Sequence, residues 1–326
     1  LCEVAGGTLT VTGTDTEITI RTALQVEVLE EGSTVVPAKL VGEAVRKLPA
    51  GAVSFATTDG EVEITGNGPR FNLREFDVSD YPDVTRGSVA GGVEMDGEVL
   101  IAALNQVGIA ASTDDGRPTL TGVLFETESD HLRLVATDSY RLAVRDVPSA
   151  AGVDTTLIPY RALRELGRTI ADAKMAVAIG EREGTFGSDR GQMTARVIES
   201  SFPDYRRLLP DDYPNRLVIS REALLDAVGR ASLVAEDHIP VRLSLGAGGV
   251  ELSVTRQDVG GETEYIEAAY DGEDMVIAFN TRYLTDGVAA MQSESLVLQT
   301  INPLKPGLLT AADEDSFRYL LMPVRL

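Results

Sequence analysis

Within Leu124–Arg145, the stretch the chain repeats, apolar and polar positions alternate at Leu132–Ala136, which predicts a strand punctuated by Asp-containing turns. The beginning of the chain is a divergent copy. Leu1, Glu3, Leu9, Thr14 and Asp15 fall under Leu124, Glu126, Leu132, Thr137 and Asp138 without a gap. In a third, weaker copy Val250, Leu252, Val254 and Thr255 fall under Leu132, Leu134, Ala136 and Thr137. Strand patterns also occur at Val62–Ile64 and Leu296–Leu298.

Other segments repeat in step. A short apolar strand, a Pro (Pro37, Pro159) and a helical period make up both Ser33–Leu48 and Thr155–Ile170, and Met275–Met291 is their third counterpart. Tyr81-Pro82-Asp83 and Phe202-Pro203-Asp204 close the first two copies. Val93–Ser112 and Leu217–Glu236 each predict a strand and then a helix, entered through Asp96 or Ser220 as N-cap with Glu98 or Glu222 in the first turn. This last pair lacks a first copy. The chain is therefore expected to start inside a repeat, with about thirty residues carrying a strand and a helix missing, as the absence of an initiating Met also suggests.

The expected fold class is α+β: three repeated domains of antiparallel sheet with two helices each, at 1–91, 92–210 and 211–326. No apolar run approaches the ~20 residues of a membrane span. A single Cys, Cys2, excludes an internal disulfide and points to the cytoplasm. The net charge of −22 argues against nucleic acid as a partner on average. Geometry qualifies that average, because Arg161, Arg164 and Arg168 recur two residues out of phase with Leu163, Leu166 and Ile170 and so occupy the opposite helix face. Lys39 and Arg46 stand likewise against Leu40, Val41, Ala44 and Leu48, and the third copy offers Arg282. For any one helix a solvated face is the simpler reading, and recurrence at equivalent positions in two repeats shifts the balance.

Catalytic chemistry finds few candidates. His131 and His238 are isolated, one Cys gives no zinc spacing, and neither a phosphate-cradling loop nor a nucleophile elbow occurs. Asp114-Asp115, Asp211-Asp212 and Asp313-Glu314-Asp315 lack the spacing of a calcium loop. No cofactor, metal or catalytic residue is expected. The carboxyl end Tyr319–Leu326 is unusual in being apolar. Tyr319–Leu321 predicts a buried strand, while Met322–Leu326, carrying Pro323, is expected to line an adaptable apolar groove.

ATDSYRLAVRDV (136–147), RPTLTGVLFE (117–126), SFPDYRRLLP (201–210), AFNTRYLTDGV (278–288) and the terminal YLLMPVRL, in this order and spacing, closely resemble the bacterial DNA polymerase III β subunit, the sliding-clamp family. The resemblance covers the whole chain. It implies a DNA clamp fold, a non-enzymatic processivity factor, and a head-to-tail homodimer that encircles duplex DNA without sequence specificity. Replicative polymerase, clamp loader and repair proteins would dock short peptide motifs between the second and third domains. Carried over, that pocket comprises Leu120, Thr137, Ser139, Tyr140, Arg141, Leu142, Pro203, Arg207, Leu208, Tyr283, Leu320, Met322, Pro323, Val324, Arg325 and Leu326. The family commonly has Gly-His where this chain has Ser139-Tyr140. Of the family's DNA contacts in the loop before Leu120 only Arg117 transfers, joining Lys39, Arg46, Arg161, Arg164 and Arg168. At the dimer interface Phe71 and Leu73 would meet Leu233 and Val234 of the second copy. From the residues alone, an interdomain-cleft enzyme and an acidic scaffold that never touches DNA remain open.

Overall fold

Three times the chain passes through the same order of elements. In the computed structural model, which describes residues 1–84, 87–148, 150–210, 212–235 and 239–325, the first passage holds β1 (Cys2–Ala5), β2 (Thr8–Thr14), β3 (Ile18–Gln25), β4 (Gly32–Thr34), α1 (Ala38–Lys47), β5 (Val53–Thr58), β6 (Glu61–Gly66) and β7 (Arg70–Arg74). The second adds a strand and helix in front: β8 (Val93–Asp96), α2 (Gly97–Gly108), β9 (Gly122–Glu128), β10 (His131–Thr137), β11 (Arg141–Pro148), β12 (Thr156–Pro159), α3 (Tyr160–Thr169), β13 (Lys174–Ile179), β14 (Glu183–Ser188) and β15 (Gly191–Arg196). The third runs through β16 (Asn215–Ser220), α4 (Arg221–Ala235), β17 (Pro240–Gly246), β18 (Gly249–Arg256), β19 (Gly260–Asp271), β20 (Met275–Asn280), α5 (Thr281–Ala290), β21 (Ser295–Thr300), β22 (Gly307–Ala311) and β23 (Phe317–Leu321).

The ladders carry the repeat more sharply than the residue matches do. Cys2 pairs with Val11 as Phe125 pairs with Leu134, and Thr12 pairs with Arg21 as Val135 pairs with Val144. Register is fixed by which face is buried, since a slip of one residue turns the core outward. Val250, Leu252 and Val254 of β18 are thus buried like Leu132, Leu134 and Ala136 of β10.

Helices α1 and α3 are amphipathic, and α4 and α5 carry side-chain N-caps, while Pro37 before α1 makes none. On α3, Ala162, Leu163 and Leu166 are buried while Arg161, Arg164 and Arg168 are exposed, as the period predicts. Ser220 accepts a hydrogen bond from Ala223 N at the start of α4, and Asn280 accepts one from Tyr283 N at the start of α5. At the other end of α5 the Arg221 side chain donates to the carbonyls of Val288 and Ala289, and Gln106 donates to that of Ala290. The apolar side of α1 differs from expectation: Ala44 is buried and Val41 and Leu48 pack on the β6–β7 core, but Leu40 stays exposed.

The contacts divide the described chain into two compact units, Leu1–Gly97 with Glu165–Arg196, and Glu98–Arg164 with Val197–Leu326. The boundary crosses the second repeat because sheets continue from one repeat to the next. In the first unit β15 pairs with β3, giving the order β4-β1-β2-β3-β15-β14-β13-β8, with β5-β6-β7 as a separate sheet. In the second unit β23 pairs with β11, giving β12-β9-β10-β11-β23-β22-β21-β16-β19-β18-β17-β20. Each joint therefore adds the last strand of one repeat to the third-position strand of the repeat before it.

Candidate functional site

The tight link between β10 and β11 organises the second unit's candidate site. Asp138 Oδ1 accepts the backbone N–H groups of Tyr140 (2.9 Å) and Arg141 (3.0 Å), and Thr137 Oγ1 donates to the Arg141 carbonyl at 2.7 Å. Between them Ser139 lies at φ +83°, a left-handed conformation that suits the Gly common here in the resembled family. The turn turns Tyr140 outward and Arg141 inward.

Arg141 is the buried hub. Its Nε donates to Asp138 Oδ2 at 3.0 Å, and its Nη1 to Asp286 Oδ2 at 2.6 Å and to the Tyr319 hydroxyl at 3.3 Å. The guanidinium also lies 4.3 Å from the centre of the Tyr283 ring, which stacks at 6.4 Å on Tyr140. Burial works against the Arg141 charge, yet Tyr319, Asp286 and Asp138 hold its pKa above the ordinary value. Burial also pushes the Tyr319 phenol upward, leaving a neutral hydroxyl that donates to the Tyr283 carbonyl at 3.0 Å. Gly287 makes this proximity feasible, because a Cβ there would come within 2.3 Å of the Tyr319 ring.

The 3₁₀ turn Tyr205–Leu208 carries further residues of the expected set. The Tyr205 hydroxyl donates to Glu126 at 2.9 Å, and Arg206 pairs with both Glu126 and Glu128. Burial and Glu126 push the Tyr205 phenol up to about 12, while the Arg206 hydrogen bond holds Glu128 below the usual carboxylate range. These ties fix the turn, leaving Leu208 and Pro203 exposed and Arg207 paired with Asp204 in solvent. The carboxyl end supplies the remaining expected residues. Met322 N–H donates to the Tyr140 carbonyl and Val324 N–H to that of Ala278, so the segment after β23 is tethered although it is no longer a strand.

The expected pocket residues separate into two layers. Leu120, Thr137, Arg141, Leu142 and Leu320 are buried, and Leu142 and Leu320 belong to a core with Leu124, Val135, Val144 and Tyr205. Tyr140, Leu208, Met322 and Val324 offer the reachable apolar surface, at 58, 41, 38 and 37% exposure, with Tyr283 and Pro323 partly covered and Ser139 and Arg325 exposed beside them. Leu142 is thus a core side chain beneath that surface. Leu326 lies outside the described residues, as do His238 and Asp211. Asp138, Asp286 and Tyr319, which hold Arg141, were absent from the expected set. Asp138 was legible at three residues from Arg141, whereas Asp286 and Tyr319 arrive from distant elements. Of the exposed apolar side chains, Tyr140 and Met322 lie close in sequence or by hydrogen bond to the satisfied polar network around Arg141. His131 sits apart, beside Asp130 and Asp146.

Among the expected DNA-facing residues Lys39 and Arg46 are exposed on α1, as are Arg161, Arg164 and Arg168 on α3. Arg168 pairs with Glu165 at 3.0 Å, and Arg117 is tied to Asp114 at 2.9 Å within its loop. Of the expected interface residues, Phe71 packs partly covered on the core that buries Leu73 with Val62 and Ile64. Leu233 is 83% exposed on α4, with Val234 partly covered.

Three family models for the DNA polymerase III beta subunit match in sequence: the N-terminal domain at residues 1–85, the central domain at 94–204 and the C-terminal domain at 206–325. The chain is 32% identical to the beta sliding clamp of Streptomyces coelicolor, covering 100% of this chain and 91% of the relative. Among solved structures it is similar to the DNA polymerase sliding clamp from Caulobacter crescentus, with TM-score 0.91 at 27% identity over 100% of this chain and 90% of that one. A sliding clamp from Pseudomonas aeruginosa bound to griselimycin gives TM-score 0.93 at 25% identity, with 100% and 90% coverage. The sheet-joined repeats have the clamp fold, and the chain belongs to the DNA polymerase III beta subunit family, the bacterial sliding clamps.

Proposed function

We propose that two copies of this chain close head to tail into a ring around duplex DNA, and that the ring tethers replicative polymerase and other cytoplasmic DNA-processing proteins through the groove rimmed by Tyr140, Leu208, Met322 and Val324. Membership of the family supports a role as a DNA replication processivity factor. No helix among the described residues is long and apolar enough to cross a membrane. The three domains are taken at 1–91, 92–210 and 211–326, and the ring acts by topology, without catalysis.

The observation that carries this reading is the repeated joint. At one joint Gln192 of β15 stands opposite Arg21 of β3, and at the other Arg318 of β23 stands opposite Val144 of β11. The corresponding last strand of the first repeat is β7, an edge strand. The corresponding third-position strand of the last repeat is β19, which pairs with β18 over Gly260–Glu267 and has no second partner there among the described residues. Two open edges of the kind joined twice within the chain invite pairing, and a second copy satisfies both. Transferring the ladder places Arg70 opposite Thr263 and Phe71 opposite Glu262, with Leu233 of α4 nearby to cover Phe71.

A Cys pair tests this register. In the double variant Arg70→Cys, Thr263→Cys, both positions are exposed in the single chain, so mild oxidation should yield a covalent dimer that neither single variant forms. A folded double variant that stays monomeric under oxidation contradicts the assembly. Replacing both Phe71 and Leu73 by Asp would be a poorer test, because Leu73 is core.

A further inference from the structure

The two internal joints match strand for strand, so positions in the apolar floor of the groove have counterparts at the other joint. Thr19 stands opposite Thr194 where Leu142 stands opposite Leu320, and Thr12 opposite Arg21 where Val135 is opposite Val144. In the second unit these positions form part of a closed apolar cluster. In the first unit they line an open cavity of about 300 Å³, bounded by Tyr81 and Pro82 where the second unit has Phe202 and Pro203. The site is repeated; its chemistry is changed.

We propose that this cavity is a second docking site, taking a peptide segment that carries an acidic side chain. The inference rests on reading the second unit's groove as a peptide site. Its own chemistry comes from Arg21, which is partly covered and whose guanidinium has no ion-pair partner among the described residues. A partly desolvated cation is costly alone, and a carboxylate satisfies it with paired charge-assisted hydrogen bonds. Thr12 and Thr194, both more than nine-tenths buried, line the same cavity with Thr19, whose hydroxyl shares a hydrogen bond with that of Thr14 at 2.9 Å, while the Thr194 hydroxyl lies 3.5 Å from that of Thr185. The Tyr81 hydroxyl is already committed to the Thr12 carbonyl at 3.0 Å and so fixes the wall. Asp83 also lines the cavity but is exposed, and Glu3 already has an interaction of its own. An apolar anchor would have to strip water from the Arg21 guanidinium without return, so the two joints select different segments.

The probes are acetyl-Gly-Asp-Ser-Gly-amide, its Asn analogue, and a separate apolar peptide with Gln, Leu and a terminal Phe, each titrated by NMR into the full chain. The Asp peptide should shift the amides of Thr12, Thr19, Arg21 and Thr194. Its affinity should fall about tenfold or more with the Asn analogue, and likewise in Arg21→Ala and Thr19→Leu variants whose melting curves show them folded. The apolar peptide should shift Tyr140 and Tyr283 and leave the Asp peptide in place. No shift at millimolar Asp peptide, equal binding of the Asn analogue, or shifts confined to the Tyr140 groove overturns the second site. Failure of the apolar peptide alone, with the Asp peptide bound at Arg21, instead removes the reading of the second unit's groove.

Discussion

Arg141 illustrates how one residue can govern a surface it barely reaches. Removing its charge strands Asp138 and Asp286, and breaking a buried pair from one side costs about 3 kcal/mol or more. Arg141→Met should therefore lower the melting temperature markedly, whereas Asp286→Asn, at the more open end of the network, should cost about 1 kcal/mol. Both should weaken binding of an apolar groove peptide, because the Tyr283 ring rests on the guanidinium and Tyr140 stacks on Tyr283. Calorimetric titration with melting curves measures both effects. Unchanged peptide affinity in Asp286→Asn would make the network purely structural. At this scale the sequence was partly legible. The Asp138–Arg141 turn reads locally, but Asp286 is 145 residues from Arg141 and only the packing of α5 against β23 brings them together. Burial was legible less well: Leu142 and Leu73 alternate correctly along their strands, yet the pattern cannot tell a core face from a docking face.

Among the elements, α3 kept closest to its pattern, because a helix with apolar and cationic residues on opposite sides has one stable way to lie on a sheet. Its cationic face is where contact with phosphates is proposed. Reversing Arg161, Arg164 and Arg168 to Glu, six positions in a dimeric ring, should weaken DNA retention and reduce the slope of log affinity against log salt by up to about 5, with the groove peptide still bound. Salt titration of retention on nicked circular DNA checks this; an unchanged slope would place the phosphate contacts elsewhere. Helix α1 followed its pattern less well. Its sequence marks Leu40 as apolar-face, but whether that face is covered depends on neighbours that the helix's own period does not encode. The carboxyl end shows the same division: β23 was readable as a strand, while the tether from Val324 to Ala278 was not.

For the whole molecule, repetition made the fold legible before any strand was placed, since a copied domain must reuse its ladders and its joints. Division into two compact units was not legible, because it follows from strands traded between repeats. The acidity also makes sense at this scale. A protein that slides should hold duplex by enclosure with few cations near phosphate, and a net charge of −22 discourages binding of DNA to the rest of the surface. The most direct measurement uses the Cys pair at positions 70 and 263. The double variant is mixed with nicked circular DNA under reducing conditions, oxidised, and washed at high salt. Enclosure predicts that cross-linked protein stays with the circle and leaves when the DNA is cut once. Equal retention on circular and linear DNA, or loss from both while the cross-linked dimer forms, would contradict a ring around the duplex.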